Sequence, residues 1–240
     1  HKLFDMLVLL LSQQNQFRRK TQTHNTIVTI SLDDYMNLCD IPDTKASKDE
    51  TRAQIKKDLK MLSCISISWR SPNNTDEKKK EILPQYMNTK LFTHCEIRKG
   101  IITANFTEAI TSYLSNSFAT KFPTALLTLD DRNTNVYYIG KKLAYHYGLR
   151  SNVRRGTNSC ISILSLLSAT PDIRYQRILE QDPGHWSRRI RVPLEKALSS
   201  LEEVGIIDKW SYCLAKRQPI SDLDDATSTF YNFSKLYISF

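Results

Sequence analysis

The segment His185-Trp186-Ser187-Arg188-Arg189-Ile190-Arg191 sets three arginines within four residues, just ahead of Pro193 and a helix-spaced apolar run. A guanidinium offers five N–H donors in a planar fork, so arginines gathered at the start of a helix can grip guanine edges or phosphate oxygens. Farther upstream, Lys48, Arg52, Lys56, Lys57 and Lys60 lie off the apolar stripe of another helical stretch and give it a basic outward face. Such a face is often only solvated, but this one falls on the helix that the chain's pattern nominates to enter a groove. Lys78, Lys79 and Lys80 stand near the end of a loop of turn formers, SPNNTDEKKKE, that reads as a basic wing. Arg150, Arg154 and Arg155 surround Asn152 in a short polar stretch that either holds backbone phosphates or is a solvated loop.

Catalytic chemistry is not spelled out by the other reactive residues. The six glycines form no G-x-x-x-x-G-K-[ST] phosphate loop. No His-apolar-His pair stands ready to hold a metal beside a tyrosine nucleophile. His146 lies between Tyr145 and Tyr147, yet on a helix these point in different directions, and the residue reads as a packed histidine. Asp130-Asp131 reads as a turn. Cys39, Cys64, Cys95, Cys160 and Cys213 are odd in number and scattered, with neither a C-x-x-C pair nor zinc-ligand spacing, which suits reduced thiols in the cytoplasm. The expectation is a protein without enzymatic activity, cofactor or metal.

The balance of 34 Lys and Arg against 25 Asp and Glu gives a net charge of +9. With a pI near 9.3, that balance favours a polyanionic partner such as nucleic acid. The longest apolar run, residues 6–11, is too short to span a bilayer, and the polar residues after it lack the small-residue site of a signal peptide. A soluble, cytoplasmic protein is expected.

Side chains that grip DNA need elements to aim them. Leu194, Leu198, Leu201 and Val204 share one helix face, Gly205 ends it, and Ile207, Trp210, Tyr212 and Leu214 continue in a strand-like run. A helix running directly into a hairpin is the arrangement of a winged-helix recognition element. Residues 55–69 repeat it, with Ile55, Leu59, Leu62, Ile65 and Ile67 at the offsets of Leu194, Leu198, Leu201, Val204 and Ile206. Upstream of each copy, Ile30-Ser31-Leu32 and Ile161-Ser162-Ile163 predict a short strand whose serine caps a helix. The expected fold is α+β: two tandem winged-helix domains, helix-rich with small antiparallel sheets, over residues 1–120 and 121–240. Pro123 marks the boundary.

Local signals add detail. Residues 2–14 are apolar almost all round, which fits a helix buried on several sides or a subunit interface. Ser47 and Glu50 are spaced as a capping box. Residues 65–70 and 91–97 read as strands, with 101–106 completing the sheet. Val136, Ile139, Leu143 and Tyr147 form the face of a helix stopped by Gly148, and residues 175–185 read as a linker. Residues 216–228, holding Asp222, Asp224 and Asp225, read as an acidic wing tip, which leaves the helix of the second copy to bind. Residues 230–240 read as a final strand.

Phe122-Pro123-Thr-Ala-Leu-Leu, Tyr138-Ile-Gly-Lys-Lys-Leu-Ala-Tyr-His-Tyr147, Ile161-Ser-Ile-Leu-Ser-Leu-Leu and the run from Trp186 through Pro193 to Trp210 carry a family likeness. Over nearly all of its length the chain resembles the plasmid replication initiators of the RepA class, which are built of two winged-helix domains. The resemblance implies a sequence-specific double-stranded-DNA-binding protein that recognises repeated sites at a plasmid or mobile-element origin and recruits host replication proteins. It further implies that the first domain contributes to DNA contact and to a possible homodimer, while the second reads another part of the site. Lys48, Arg52 and Lys56 in the first recognition helix, and Arg188, Arg189 and Arg191 in the second, are the positions it carries over. The matching motifs are structural. A transcriptional regulator with the same two winged helices, or an adaptor whose winged helices bind protein, stays open as an alternative.

Overall fold

The chain divides into two units, His1–Ala119 and Thr120–Phe240. The computed structural model describes residues 2–16, 25–69, 87–116, 122–130, 132–149, 156 and 159–240.

In the first unit, α1 (Lys2–Gln16) buries Leu3, Met6, Leu7 and Leu11, a stripe at three- and four-residue spacing. Buried Asn15 ties its end to the next strand: Nδ2 donates to the Asn25 carbonyl at 3.0 Å and Oδ1 accepts from the Asn25 N–H at 2.9 Å. Alternation in β1 (Ile27–Ser31) buries Val28 and Ile30. Ser31 then turns the chain into α2 (Leu32–Leu38), its Oγ accepting from the Asp34 N–H at 3.0 Å and donating to Asp34 Oδ2 at 2.6 Å. The next helix, α3 (Lys45–Ser63), buries Thr51, Ile55 and Leu59. Its cap is Thr44 and not the expected Ser47: Thr44 is extended and accepts from the Ser47 N–H at 3.1 Å, which places Ser47 inside the first turn.

After α3 the strands depart from expectation. β2 (Ser66–Trp69) pairs with β3 (Met87–Lys90) in a ribbon of its own. β4 (Phe92–Arg98) instead pairs with β5 (Ile101–Phe106), to which β1 adds, giving an antiparallel sheet of order β1-β5-β4. The chain changes sheets at buried Leu91, whose N–H donates to the Ile65 carbonyl at 2.9 Å. The β4–β5 turn is Lys99-Gly100, with φ of 49° and 75°. Two left-handed central residues make a type I′ turn, whose twist matches that of the strands. α4 (Glu108–Asn116) completes the unit.

The second unit begins with a short 3₁₀ turn, Thr124–Leu126, and α5 (Thr134–Gly148). Between them the Arg132 N–H donates to Asp130 Oδ1 at 2.9 Å, which forms the expected polar turn. β6 (Cys160–Ser162) leads into α6 (Ile163–Leu167), capped by Ser162 Oγ at 3.3 Å from the Ser165 nitrogen. The predicted linker holds a helix, α7 (Tyr175–Gln181), and a 3₁₀ turn, Pro183–His185. Helical backbone then continues through a π-helical turn, Ser187–Arg191, into α8 (Val192–Glu203). Pro193 explains the π turn: it has no N–H for the Arg189 carbonyl and its ring would press on that carbonyl in an α-helix, so the wider turn relieves the clash.

β7 (Ser211–Cys213) and β8 (Tyr237–Ser239) pair so that the sheet order is β6-β8-β7. In both three-stranded sheets, therefore, the first strand pairs with the last and the last with the one between them in sequence. The segment joining β7 to β8 is not the expected acidic wing tip. Asp222 Oδ1 accepts from the Asp225 N–H at 3.0 Å to cap α9 (Leu223–Ala226), and Asp224 and Asp225 lie in its first turn, where carboxylates favour a helix. Nor are residues 230–240 all strand: Thr229 caps α10 (Phe230–Ser234), which buries Phe233, and alternation begins only at Leu236.

α5 and α8 meet at Gly140, around which Leu126, Ile139, Leu143, Leu194, Leu198 and Leu201 are buried. Expected core residues that stay outside include Tyr147, in the last turn of α5, 55% exposed, Val204, at the C-cap of α8, 46% exposed, and Ile65, at the matching offset after α3, 41% exposed. Each lies beyond the length of helix that its neighbours cover.

Candidate nucleic-acid interface

Trp186, Arg191 and Val192 all have helical dihedrals, so the helix that ends as α8 is continuous through its π turn, and non-helical Asp182 marks its start. Arg188, Arg189 and Arg191 therefore lie beyond the first turn of a long helix, and Glu202 and Glu203 in its last turn. A helix's unpaired N–H groups make its first turn positive and its unpaired carbonyls make its last turn negative, an effect that fades beyond that turn, so Glu202 and Glu203 stand against the dipole while the arginines are little touched by it.

The three arginines differ in their surroundings. Arg188 is exposed and makes no ion pair among the described residues. Arg189 lies 3.4 Å from Asp182 Oδ2, and Asp182 Oδ1 lies 2.6 Å from His185 Nδ1. The His185 hydrogen bond, helped by the Arg189 and Arg188 charges, holds the Asp182 carboxyl below its ordinary range. Arg191 donates through Nε to Glu195 Oε1 at 2.9 Å, and the Tyr212 hydroxyl on β7 donates to the same oxygen at 2.8 Å. Burial first, then the Glu195 carboxylate, raises the Tyr212 pKa, which keeps the phenol protonated as the donor.

An aromatic brace sets the entry to this helix. Trp186 packs on Phe230 and Phe233 of α10, with ring centroids 5.9 and 5.3 Å apart. Tyr212 stands edge-on to Trp210 at 5.4 Å and to Phe233 at 5.9 Å. The segment between β7 and β8 thus supports the arginine-bearing helix from behind.

In the first unit the expected cations divide along α3. Lys48 Nζ lies 2.8 Å from Asp43 Oδ1 and 3.0 Å from Asp33 Oδ1, contacts that raise its pKa and tie α3 to α2 and to the turn before it. Arg52 is held by Asp49 at 3.0 Å. Lys56, Lys57 and Lys60 are exposed and make no ion pair among the described residues, so of the expected cations those left available lie on the second half of the helix.

Two further cations escaped the sequence reading. Arg98 and Lys99 are exposed at the β4–β5 turn, the tip of the three-stranded sheet. β4 runs back along α3, since Leu91 meets Ile65 and Cys95 Sγ donates to the Leu59 carbonyl at 3.4 Å. Three residues of strand carry Arg98 about 10 Å beyond Cys95, to about the level of Arg52. The signal was Lys99-Gly100 between alternating runs. On α8, Val192, 36% exposed, and exposed Lys196 were also missed; an apolar residue off the Leu194–Leu198–Leu201 stripe was the only mark of Val192.

Lys78, Lys79 and Lys80, and likewise Arg150, Arg154 and Arg155, lie outside the described residues. The five cysteines are free thiols, and His146 Nε2 packs 3.0 Å from the Cys160 carbonyl. Among the described residues, no group of three His, Cys, Asp or Glu side chains could hold a metal ion, and no helix is long and apolar enough to cross a membrane.

The model of a family described as "Initiator Replication protein, WH1" matches residues 1–128. No curated protein matches the chain in sequence. Among solved structures, the Pi initiator protein in complex with iteron DNA is similar at 15% identity, over 97% of this chain and 92% of that one, with a TM-score of 0.48. A structure of domains 2 and 3 of RctB is similar at 14% identity, over 84% of this chain and 68% of that one, with a TM-score of 0.43.

Proposed function

The chain belongs to the initiator replication protein family, and on that footing we propose that it is a replication initiator that binds double-stranded DNA at repeated origin sites of a plasmid or mobile element. The observation behind this reading is the helix that ends as α8, which gathers three arginines within four residues ahead of its core stripe, with Arg188 exposed and in no ion pair among the described residues, so that a polyanion can approach it.

In this reading the second unit places the start of that helix in the major groove, with Arg188, Arg189 and Arg191 toward base edges and phosphates and Val192 toward a thymine methyl group. The first unit holds backbone phosphates through Lys56, Lys57 and Lys60 and through Arg98 and Lys99 at the sheet tip. Lys78, Lys79 and Lys80, with Arg150, Arg154 and Arg155, extend the proposed contacts. Lys48 and Arg52 are assigned a lesser part, because carboxylates already hold them. A second copy of the chain and host replication proteins are the partners such an initiator would have, and it would act in the cytoplasm without catalysing a reaction.

The test is to select bound fragments from the DNA that encodes the protein. Tandem repeats beside an origin that replicates only with the protein present are expected. A lone promoter operator would make the chain a transcriptional regulator, and affinity that does not fall with salt would make it a protein-binding adaptor.

A further inference from the structure

We propose that Arg191 is a base-reading residue held ready by Glu195 and Tyr212, which act as positioning residues; this rests on the DNA-binding reading above. Arg191 spends only Nε–H on Glu195, so both terminal guanidinium nitrogens, with four N–H donors, have no partner among the described residues. Side chains of Arg191 and Glu195 are 33% and 26% exposed, so each is partly sheltered and partly open to solvent.

An ordinary surface ion pair along a helix would not need a third partner. Here Tyr212 comes from β7, its ring is fixed edge-on between Trp210 and Phe233, and its hydroxyl donates to the oxygen that Arg191 already holds. The chain of contacts Phe233–Tyr212–Glu195–Arg191 thus fixes one edge of the guanidinium plane from the core outward. A flexible arginine loses rotamer freedom on binding, whereas one oriented beforehand loses less and presents its fork at one angle. Two N–H groups in a fixed plane match the O6 and N7 acceptors of guanine.

Charge separates this role from phosphate binding. Arg191 and Glu195 together are neutral, so the pair releases few counterions from DNA, whereas Arg188, which makes no ion pair among the described residues, releases them. Arg191 is therefore suited to discriminate between sequences and Arg188 to attract any duplex.

The probe is the duplex that the unsubstituted protein selects from a randomised pool, compared with a scrambled duplex of the same composition. Tyr212→Phe removes one hydroxyl and leaves the ring. It is expected to lower the preference for the selected duplex roughly fivefold to tenfold, with scrambled-duplex affinity and salt slope unchanged. In an Arg191→Ala background the same change should have no effect on preference, and Glu195→Gln, which keeps an acceptor, should restore part of what Glu195→Ala loses. Equal losses on both duplexes, or an equal effect of Tyr212→Phe with and without Arg191, would overturn the proposal while the DNA-binding reading stands. If the unsubstituted protein selects no duplex, both fall. Thermal unfolding of Tyr212→Phe confirms that the preference is measured on folded protein.

Discussion

Gly140 on α5 lies so close to Leu201 on α8 that a Cβ at residue 140 would stand 2.8 Å from Leu201 Cδ2, and 2.5 Å from Leu126 Cδ2. Both leucines are fully buried, so neither side chain has space into which to swing. Gly140→Ala is expected to destabilise the second unit by about 1 to 2 kcal/mol, because overpacking outweighs the gain in helix propensity. Urea unfolding checks this, and a rise in midpoint would show that the helices separate without penalty.

Arg188 and Lys48 should behave oppositely in DNA binding, although both stand on helices nominated for the groove. Arg188→Ala is expected to reduce the slope of log affinity against log salt by about one, the loss of one phosphate contact. Lys48→Ala should leave that slope nearly unchanged, since Asp33 and Asp43 already neutralise the ammonium. Titration of both variants at several salt concentrations decides it, and equal slopes would mean that Lys48 leaves its carboxylates for DNA.

The two strand-to-helix serines should differ in strength. Ser31 accepts from the Asp34 N–H at 3.0 Å and donates back to its carboxylate, whereas Ser162 accepts at a longer 3.3 Å. Ser31→Ala should destabilise its unit by about 1 kcal/mol and Ser162→Ala by less. Denaturant midpoints of the two variants provide the comparison.

Asp182 predicts a pH dependence. Its folded pKa is depressed below the ordinary 3.8, chiefly by the His185 hydrogen bond, so its contribution to stability is present above pH 3.8 and is lost as pH falls through the lower folded value. The stability difference between the unsubstituted protein and Asp182→Asn should therefore be constant near neutrality and shrink below pH 3.8. Thermal midpoints across that range measure it, and a difference that grows with acid would reverse the assignment.

What periodicity could read, it read well. Ser31 and Ser162 cap their helices, and Ile55, Leu59, Leu194, Leu198 and Leu201 are buried at matching offsets, because capping and apolar stripes are written within a few residues. Pairings across longer separations were not legible. β2 was expected beside residues 91–97 because both stretches look like strands, and only the sheet change at Leu91 reveals its true partner. The carboxylates that hold Lys48 come from 15 and 5 residues upstream, and Tyr212 reaches Glu195 across 17. The helices between β7 and β8 were hidden by aspartates that resemble a loop until Asp222 is seen capping one of them.

The π turn at Ser187–Arg191 sets the rotational phase of the arginines relative to the core. It holds one residue more per turn than an α-helix, and each residue of an α-helix turns about 100° about the axis. Removing one residue from this turn would leave the Leu194–Leu198–Leu201 stripe seated while swinging everything before it by about that angle. The direction in which the chain presents Arg188 and Arg189 can thus be altered by length alone, without changing a side chain.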